Sequence, residues 1–175
     1  LGQPVPETID PESNLHFHIR LQRILTPQAL SRLQAQRREE RKNMEMDLLE
    51  QYITFQGIEE EPLPSGLYII PEKTGNGPRP EPGDSVVLHY TGWLLDGREF
   101  DSSRKHQEPL KMKLGAGKVI NGLAEAVSHL RQGAVATVLI PSYLAYGPNG
   151  AANVIPPYST LKFKLEILAI HPEKE

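Results

Sequence analysis

Ser85-Val86-Val87-Leu88-His89-Tyr90-Thr91-Gly92-Trp93-Leu94-Leu95-Asp96-Gly97-Arg98-Glu99-Phe100 is the stretch that decides how this chain folds. Residues 85–95 are rich in β-branched and aromatic side chains, which suit a pleated, half-buried surface. Asp96-Gly97 then supplies the strongest kind of short-range hairpin signal, a pair of residues at home at positive φ. Residues 98–100 begin the return strand. Strand, tight turn and strand in direct succession commit this region to antiparallel pairing.

Downstream the pattern continues. Residues 109–114 predict a further short strand and residues 134–140 another. Within residues 121–132, Leu123, Ala126, Val127 and Leu130 recur at i, i+3, i+4 and i+7, and Gly133 follows as a stop, which predicts one short helix. In residues 161–169, Leu161, Phe163, Leu165, Ile167 and Ala169 alternate with Lys162, Lys164, Glu166 and Leu168. One helix for five strands, with loops too short for repeated parallel crossovers, predicts an α+β fold: a five-stranded antiparallel sheet curled around that helix.

Upstream, residues 57–83 carry Gly57, the acidic run Glu59-Glu60-Glu61 and prolines 62, 64, 71, 78, 80 and 82. These interrupt helices and remove ladder donors, leaving only residues 67–70 as a short strand. A boundary at residues 61–66 is expected, with residues 1–61 an N-terminal extension and 62–175 the domain. Within the extension, Leu15, Phe17, Ile19 and Leu21 alternate with His16, His18, Arg20 and Gln22 as a strand would. Thr26-Pro27 offers a cap followed by proline at the first helical position, and good helix formers without glycine or proline run to about residue 56. The middle of that helix, residues 34–43, is polar all round. Its end, with Met44, Leu48, Leu49, Tyr52, Ile53 and Phe55, is apolar enough to dock on its own domain or on a partner chain.

Composition removes several classes of function. There are no cysteines, hence no disulfide, thiolate nucleophile or thiolate metal site. A net charge of −3 lacks the electrostatic footprint of a nucleic-acid binder. The first residue is Leu1, which predicts either a processed N-terminus or an artificially cut one, and Leu1-Gly2 ahead of a polar, proline-rich stretch suits the stalk of a lipoprotein. His16 and His18 share a strand face, but no third ligand follows at a useful spacing, and no metal or other cofactor is expected. Gly115-Ala116-Gly117-Lys118 resembles the end of a phosphate loop, yet Met112 and Val119 stand where glycine and Ser/Thr are required. Asp101 with Glu99 is the one candidate acid pair, without a second signal for hydrolysis. What remains is aromatic and apolar: Tyr90, Phe100, Tyr146 and Phe163, near Val119, Ile120 and Ile155. By spacing alone these read as the core of a small domain.

Six local strings appear in order: residues 86–92, residues 96–103, Val119-Ile120-Asn121-Gly122, Ala145-Tyr146-Gly147, Ile155-Pro156-Pro157 and Leu161-Lys162-Phe163. Together they make residues 65–170 resemble the FKBP-type peptidyl-prolyl cis–trans isomerases, the macrolide-binding family. The resemblance implies a pocket between helix and sheet, acting on X-Pro bonds of client polypeptides. It implies a working set of Tyr90, Phe100, Asp101, Ile120, Tyr146 and Phe163, with Leu110, Val119, Leu123 and Ile155 as further substrate contacts. In it the Ile120 N–H and the Tyr146 hydroxyl hold the bound peptide, and Asp101 orients Tyr90 or Tyr146. Leu123 stands where the family usually has tryptophan, which implies a shallower floor and weaker macrolide binding. Trp93, the only tryptophan, is expected outside the pocket. The helical extension resembles the dimerising or tethering arms of exported bacterial relatives. That implies a homodimer through the helix, a periplasmic or lipid-anchored location with the cytoplasm as the alternative, and a competing reading as a chaperone or adaptor with little catalysis.

Overall fold

A computed structural model of the chain describes residues 16, 18–20, 24–151 and 154–173. The chain divides into two compact units, Leu1–Ala35 and Gln36–Glu175. In the first, residues 15, 17, 21 and 22 of the alternating pattern lie outside the described residues, while 16 and 18–20 form no strand and Ile19 is 90% exposed, so the expected half-buried strand is not found there. The cap forms as the sequence predicts: the Thr26 hydroxyl accepts the Ala29 N–H at 3.2 Å and opens helix α1, Pro27–Gln56. Thirty residues at 1.5 Å each make that helix about 45 Å long.

In the second unit the far half of α1 docks, though not as an apolar face. Leu49 and Glu45 are its buried residues and Tyr52 and Ile53 are half-buried, while Met44, Leu48 and Phe55 stay exposed. The Glu45 carboxylate accepts the N–H and hydroxyl of Ser142 and the hydroxyl of Thr160. About two turns further on, Lys162 donates to the Tyr52 hydroxyl and lies 5.5 Å from the Trp93 ring centroid. Trp93 therefore faces the helical arm.

The sheet comprises β1 Tyr68–Lys73, β2 Ser85–Leu94, β3 Glu99–Ser102, β4 Leu110–Lys113, β5 Val135–Ile140 and β6 Leu161–His171. All pairs are antiparallel, in the order β1-β5-β6-β2-β3, with β4 also on β2. It is five strands wide, as expected, but holds six. β3 pairs with residues 91–93 of β2 and β4 with residues 85–88, so the two share one edge and residues 103–109 loop out between them. The short strand at residues 67–70 extends to Lys73 and accommodates Pro71, because β1 lies at the edge and its register shifts between Pro71 and Lys73.

The short α-helix packed on the sheet, α2, spans Asn121–His129, three residues shorter than the periodicity suggested. Leu130 leaves the helix at ψ 146° yet remains buried. Leu123, Ala126 and Val127 of α2 pack with Val86, Leu88, Leu161, Leu165 and Ile167 in one core. The alternating residues of β2 and β6 face α2, and this places the site.

Candidate active site

The site begins with the hairpin. Gly97 takes φ +90° and the Arg98 N–H donates to Asp96 at 2.9 Å, closing the turn the sequence predicted. The return strand then sets Gly92 opposite Asp101, while β6 sets Phe163 opposite Gly92 from the other side. A Cβ on Gly92 would lie 2.6 Å from Phe100 Cζ and 2.8 Å from Phe163 Cε1. Bare backbone is what allows the two rings to meet there. Phe100 and Phe163 pack edge to face at 5.5 Å and 85°, and Tyr90 tilts against Phe163 at 6.1 Å. These are favourable aromatic geometries, and the three rings brace one another.

A polar rim adjoins this basin. The Tyr90 hydroxyl donates to Asp101 Oδ2 at 2.6 Å, so Tyr90 is the phenol that Asp101 orients. Asp101 Oδ1 accepts the Ser102 N–H at 2.8 Å and lies 2.9 Å from His106 Nε2. Burial pushes the Tyr90 phenol far above the ordinary range, and its bond to Asp101 and the nearby negative charge push it further. Burial also acts to raise the Asp101 carboxyl, but the donors from Tyr90, His106 and Ser102 outweigh it and hold the group below the usual aspartate range. The pair is a neutral phenol against a carboxylate at any physiological pH. Ser103, nearly fully buried, fixes the backbone beneath: its Oγ accepts the Tyr90 N–H at 2.9 Å, and its N–H donates to the Tyr90 carbonyl at 3.1 Å.

The opposite wall comes from α2 and two loops. Ile120 precedes the first turn of α2 with extended φ/ψ, and its carbonyl accepts the Leu123 and Ala124 N–H groups. Its own N–H, among the described residues, has no acceptor and is free for a ligand. Val119, Ile120 and Leu110 are half-buried against the cluster that contains Leu123, Ile155 and Phe163. Tyr146 is 40% exposed on the loop between β5 and β6. Ile155 is buried where Ala151 and Ile155 bridge within that loop.

Of the ten residues singled out in the sequence, Tyr90, Phe100, Asp101 and Phe163 meet directly, Leu110, Val119, Ile120, Leu123 and Ile155 belong to or pack against the same apolar cluster, and Tyr146 stands partly exposed on the β5–β6 loop. Three partners were missed. Gly92 and Ser103 lay inside the matched strings but carried no chemical signal of their own. His106 looked like one of several scattered histidines, because only the loop-out after β3 returns it to Asp101. A cavity of about 680 Å³ lies elsewhere, lined by Glu45, Leu48, Tyr52 and Phe55 of α1 with Leu94, Leu95, Arg98, Pro156 and residues 158–160. None of the ten residues lines it.

Ser103 Oγ lies 3.0 Å from His89 Nδ1, but it is buried and bonded to the Tyr90 backbone, so the basin presents a ligand with rings and donors and not with an activated hydroxyl. It can grip a small apolar ring, present an N–H and a phenol to neighbouring carbonyls, and keep water away. Comparison with known proteins points the same way. Residues 77–168, just over half the chain, match the model of the FKBP-type peptidyl-prolyl cis–trans isomerases. The chain is 41% identical over 106 residues to an FK506-binding protein of Neisseria meningitidis serogroup B, covering 61% of this chain and 97% of that protein. It is 42% identical over 106 residues to the peptidyl-prolyl cis–trans isomerase Fkbp12 of Drosophila melanogaster, covering 60% and 98%. The crystal structure of FkpA from Escherichia coli superposes with a TM-score of 0.69 at 31% identity, over 86% of this chain and 75% of that one.

Proposed function

The chain belongs to the FKBP-type peptidyl-prolyl cis–trans isomerase family, and on that footing we propose that the aromatic basin over Gly92 is where it turns X-Pro bonds. The activity of the family fits the chemistry available. The barrier comes from partial double-bond character of the amide, about 18–20 kcal/mol, and uncatalysed exchange takes tens to hundreds of seconds. No bond between heavy atoms breaks, so neither nucleophile nor acid is required. Each tenfold in rate needs about 1.4 kcal/mol of preference for the twisted amide over the planar forms.

The observation that carries this reading is the convergence of Tyr90, Phe100 and Phe163 on one bare glycine. The rings grip the pyrrolidine, with Leu123, Val119, Leu110 and Ile155 as further apolar walls. The planar amide is the more dipolar form, so removing it from water disfavours the ground state more than the twisted state. The Ile120 N–H and the Tyr146 hydroxyl hold flanking carbonyls, so that rotation occurs on one side of the bond. Asp101 acts through Tyr90, fixing the phenol and shaping the field without exchanging a proton. Phe100→Ala is expected to lower kcat/KM on a proline tetrapeptide by at least tenfold and Asp101→Ala by less; unchanged turnover in both would sink the assignment.

FK506-type macrolides are proposed as ligands of the same basin, weakened by Leu123. A role for the arm is proposed as well: homodimerisation and holding of unfolded clients, in an exported, envelope-associated protein. It is supported by the exposed Met44, Met46, Leu48 and Phe55 on α1 and by a likeness to FkpA that extends beyond the family-matched segment. Sedimentation and aggregation-suppression measurements on Leu48→Ser/Phe55→Ser test it; a variant as dimeric and protective as the parent contradicts it. Fractionation of source cells tests the location.

A further inference from the structure

We propose that Glu45, on the N-terminal helix, is a positioning residue for the isomerase site: it clamps both feet of the loop that carries Tyr146 and Ile155. This rests on the reading of the aromatic basin as the site of isomerisation.

Residues 141–160 leave the sheet after β5 and return at β6, where Ile140 and Leu161 are paired across the mouth of the loop. Its described residues hold no strand and no helix longer than the one turn Ser142–Leu144, so the loop must be held by something other than its ladder. One carboxylate does so at both ends. On the outgoing side Glu45 Oε1 accepts the Ser142 N–H at 2.6 Å and Oε2 accepts the Ser142 hydroxyl at 2.5 Å. On the returning side Oε1 accepts the Thr160 hydroxyl at 2.8 Å. Glu45, Ser142 and Thr160 are each 4% exposed or less, so the contact is buried. Charge-assisted bonds of this kind are the strong ones, and a buried donor that loses its acceptor has no second partner.

From Ser142 the restraint passes directly to Tyr146. The Ser142 carbonyl accepts the N–H groups of both Ala145 and Gly147, at 2.8 Å each, which brackets Tyr146 between two bonds to one oxygen. The Gly147 carbonyl in turn accepts the Tyr158 N–H at 2.9 Å, tying the loop across itself two residues before Thr160. Ser142 therefore uses its N–H and hydroxyl on Glu45 and its carbonyl on the Tyr146 turn. Glu45 is not one of the basin's own residues, yet through Ser142 it determines where one of its walls stands.

The consequence is a specific kinetic signature. Without the clamp the loop samples positions in which Tyr146 and Ile155 are withdrawn, and apparent affinity drops by the fraction of chains still competent. A saturating peptide restores the closed loop. KM should rise about five- to tenfold in Glu45→Ala, with kcat within about twofold of the parent. Irreversible loss of folded protein would instead lower kcat in proportion to the active fraction and leave KM alone, while reversible unfolding, which would also raise KM, is kept negligible by working well below Tm.

The test measures kcat and KM for a proline tetrapeptide on the full-length chain, well below each variant's Tm. Glu45→Gln keeps an oxygen for the Ser142 N–H and should bring KM back to within about threefold. Leu49→Ala thins the docking of the same helix one turn on but leaves the carboxylate in place, and should leave KM unchanged. If Glu45→Ala does not fold, Ser142→Ala removes one hydroxyl from the same contact and should raise KM about two- to threefold. Unchanged KM in folded Glu45→Ala or Ser142→Ala overturns the proposal, and so does an equal rise in Leu49→Ala. Phe100→Ala in the same assay reports on the basin alone, so failure of that reading is distinguished from failure of the clamp.

Discussion

Replacing Gly92 with alanine would set a methyl group beneath two aromatic rings, and the structure gives the size of the conflict. The new Cβ would stand 2.6 Å from Phe100 Cζ and 2.8 Å from Phe163 Cε1, against ordinary contact beginning at 3.4 Å. The backbone at Gly92 is not in the positive-φ region, so the whole effect is steric. Phe163 is 4% exposed and braced by Phe100 and Tyr90, so the rings must shift together by 0.6–0.8 Å if the backbone holds. Overpacking of this kind costs about 1–3 kcal/mol, which for a domain of this size lowers Tm by about 2–10 °C. The catalytic loss should be larger in proportion. Displacing a positioned wall by about 1 Å costs up to about a hundredfold, and we expect kcat/KM to fall about 10- to 100-fold on a proline tetrapeptide. Adding Phe100→Leu shortens the nearer ring and should recover Tm without recovering kcat/KM, since the wall is then missing. Gly92→Ala with parental Tm and kcat/KM within twofold would refute the claim that the rings close over that glycine.

Three further outcomes follow from the same geometry. Asp101→Asn removes the charge and hydrogen bond that help raise the Tyr90 phenol, so its alkaline titration, followed by phenolate absorbance, should move down while remaining lifted by burial. In the parent, Asp101 has a depressed carboxyl, so its contribution is fully present above the unfolded aspartate value of about 3.9 and is lost as pH falls through the lower folded value; a fall in kcat/KM beginning above about pH 5 would contradict this. Leu123→Trp should tighten FK506 binding about tenfold in calorimetry, from roughly 50 Å² more apolar contact at about 25 cal/mol per Å². Glu72 is held low chiefly by its hydrogen bond from Lys164, against a smaller opposing effect of burial. Glu72→Gln should therefore lower Tm slightly at pH 7, and the difference should vanish as pH falls through the depressed Glu72 value; a difference that persists in acid would contradict it.

Much of the fold was legible because period-2 alternation is what a half-buried antiparallel strand imposes, as in Leu161, Phe163, Leu165 and Ile167. The hairpin was legible from Asp96-Gly97 for the same local reason. Less local features were not. That β3 and β4 share an edge of β2 depends on where residues 103–109 leave the sheet, which no periodicity records. Pro71 read as a strand breaker, and is one except at the edge position it occupies. Docking of the helical arm was expected from its apolar end, yet Glu45 makes the decisive contact. One glutamate in a polar helix looks like every other glutamate until Ser142 and Thr160, about a hundred residues away, arrive beside it. The basin itself was found through ordered strings, since its spacing alone resembles any small core. Gly92 and His106 became meaningful only once β3 and β6 flanked β2.

The most direct test of the account follows cis/trans exchange of a single X-Pro tetrapeptide by nuclear magnetic resonance, with catalytic amounts of full-length chain and no coupled protease. Exchange that takes tens to hundreds of seconds alone is predicted to be accelerated at least a hundredfold by the parent chain, and at least tenfold less by Phe100→Ala at equal folded concentration. Exchange left at the uncatalysed rate, or accelerated equally by Phe100→Ala, would contradict the claim that the rings gathered over Gly92 perform the isomerisation.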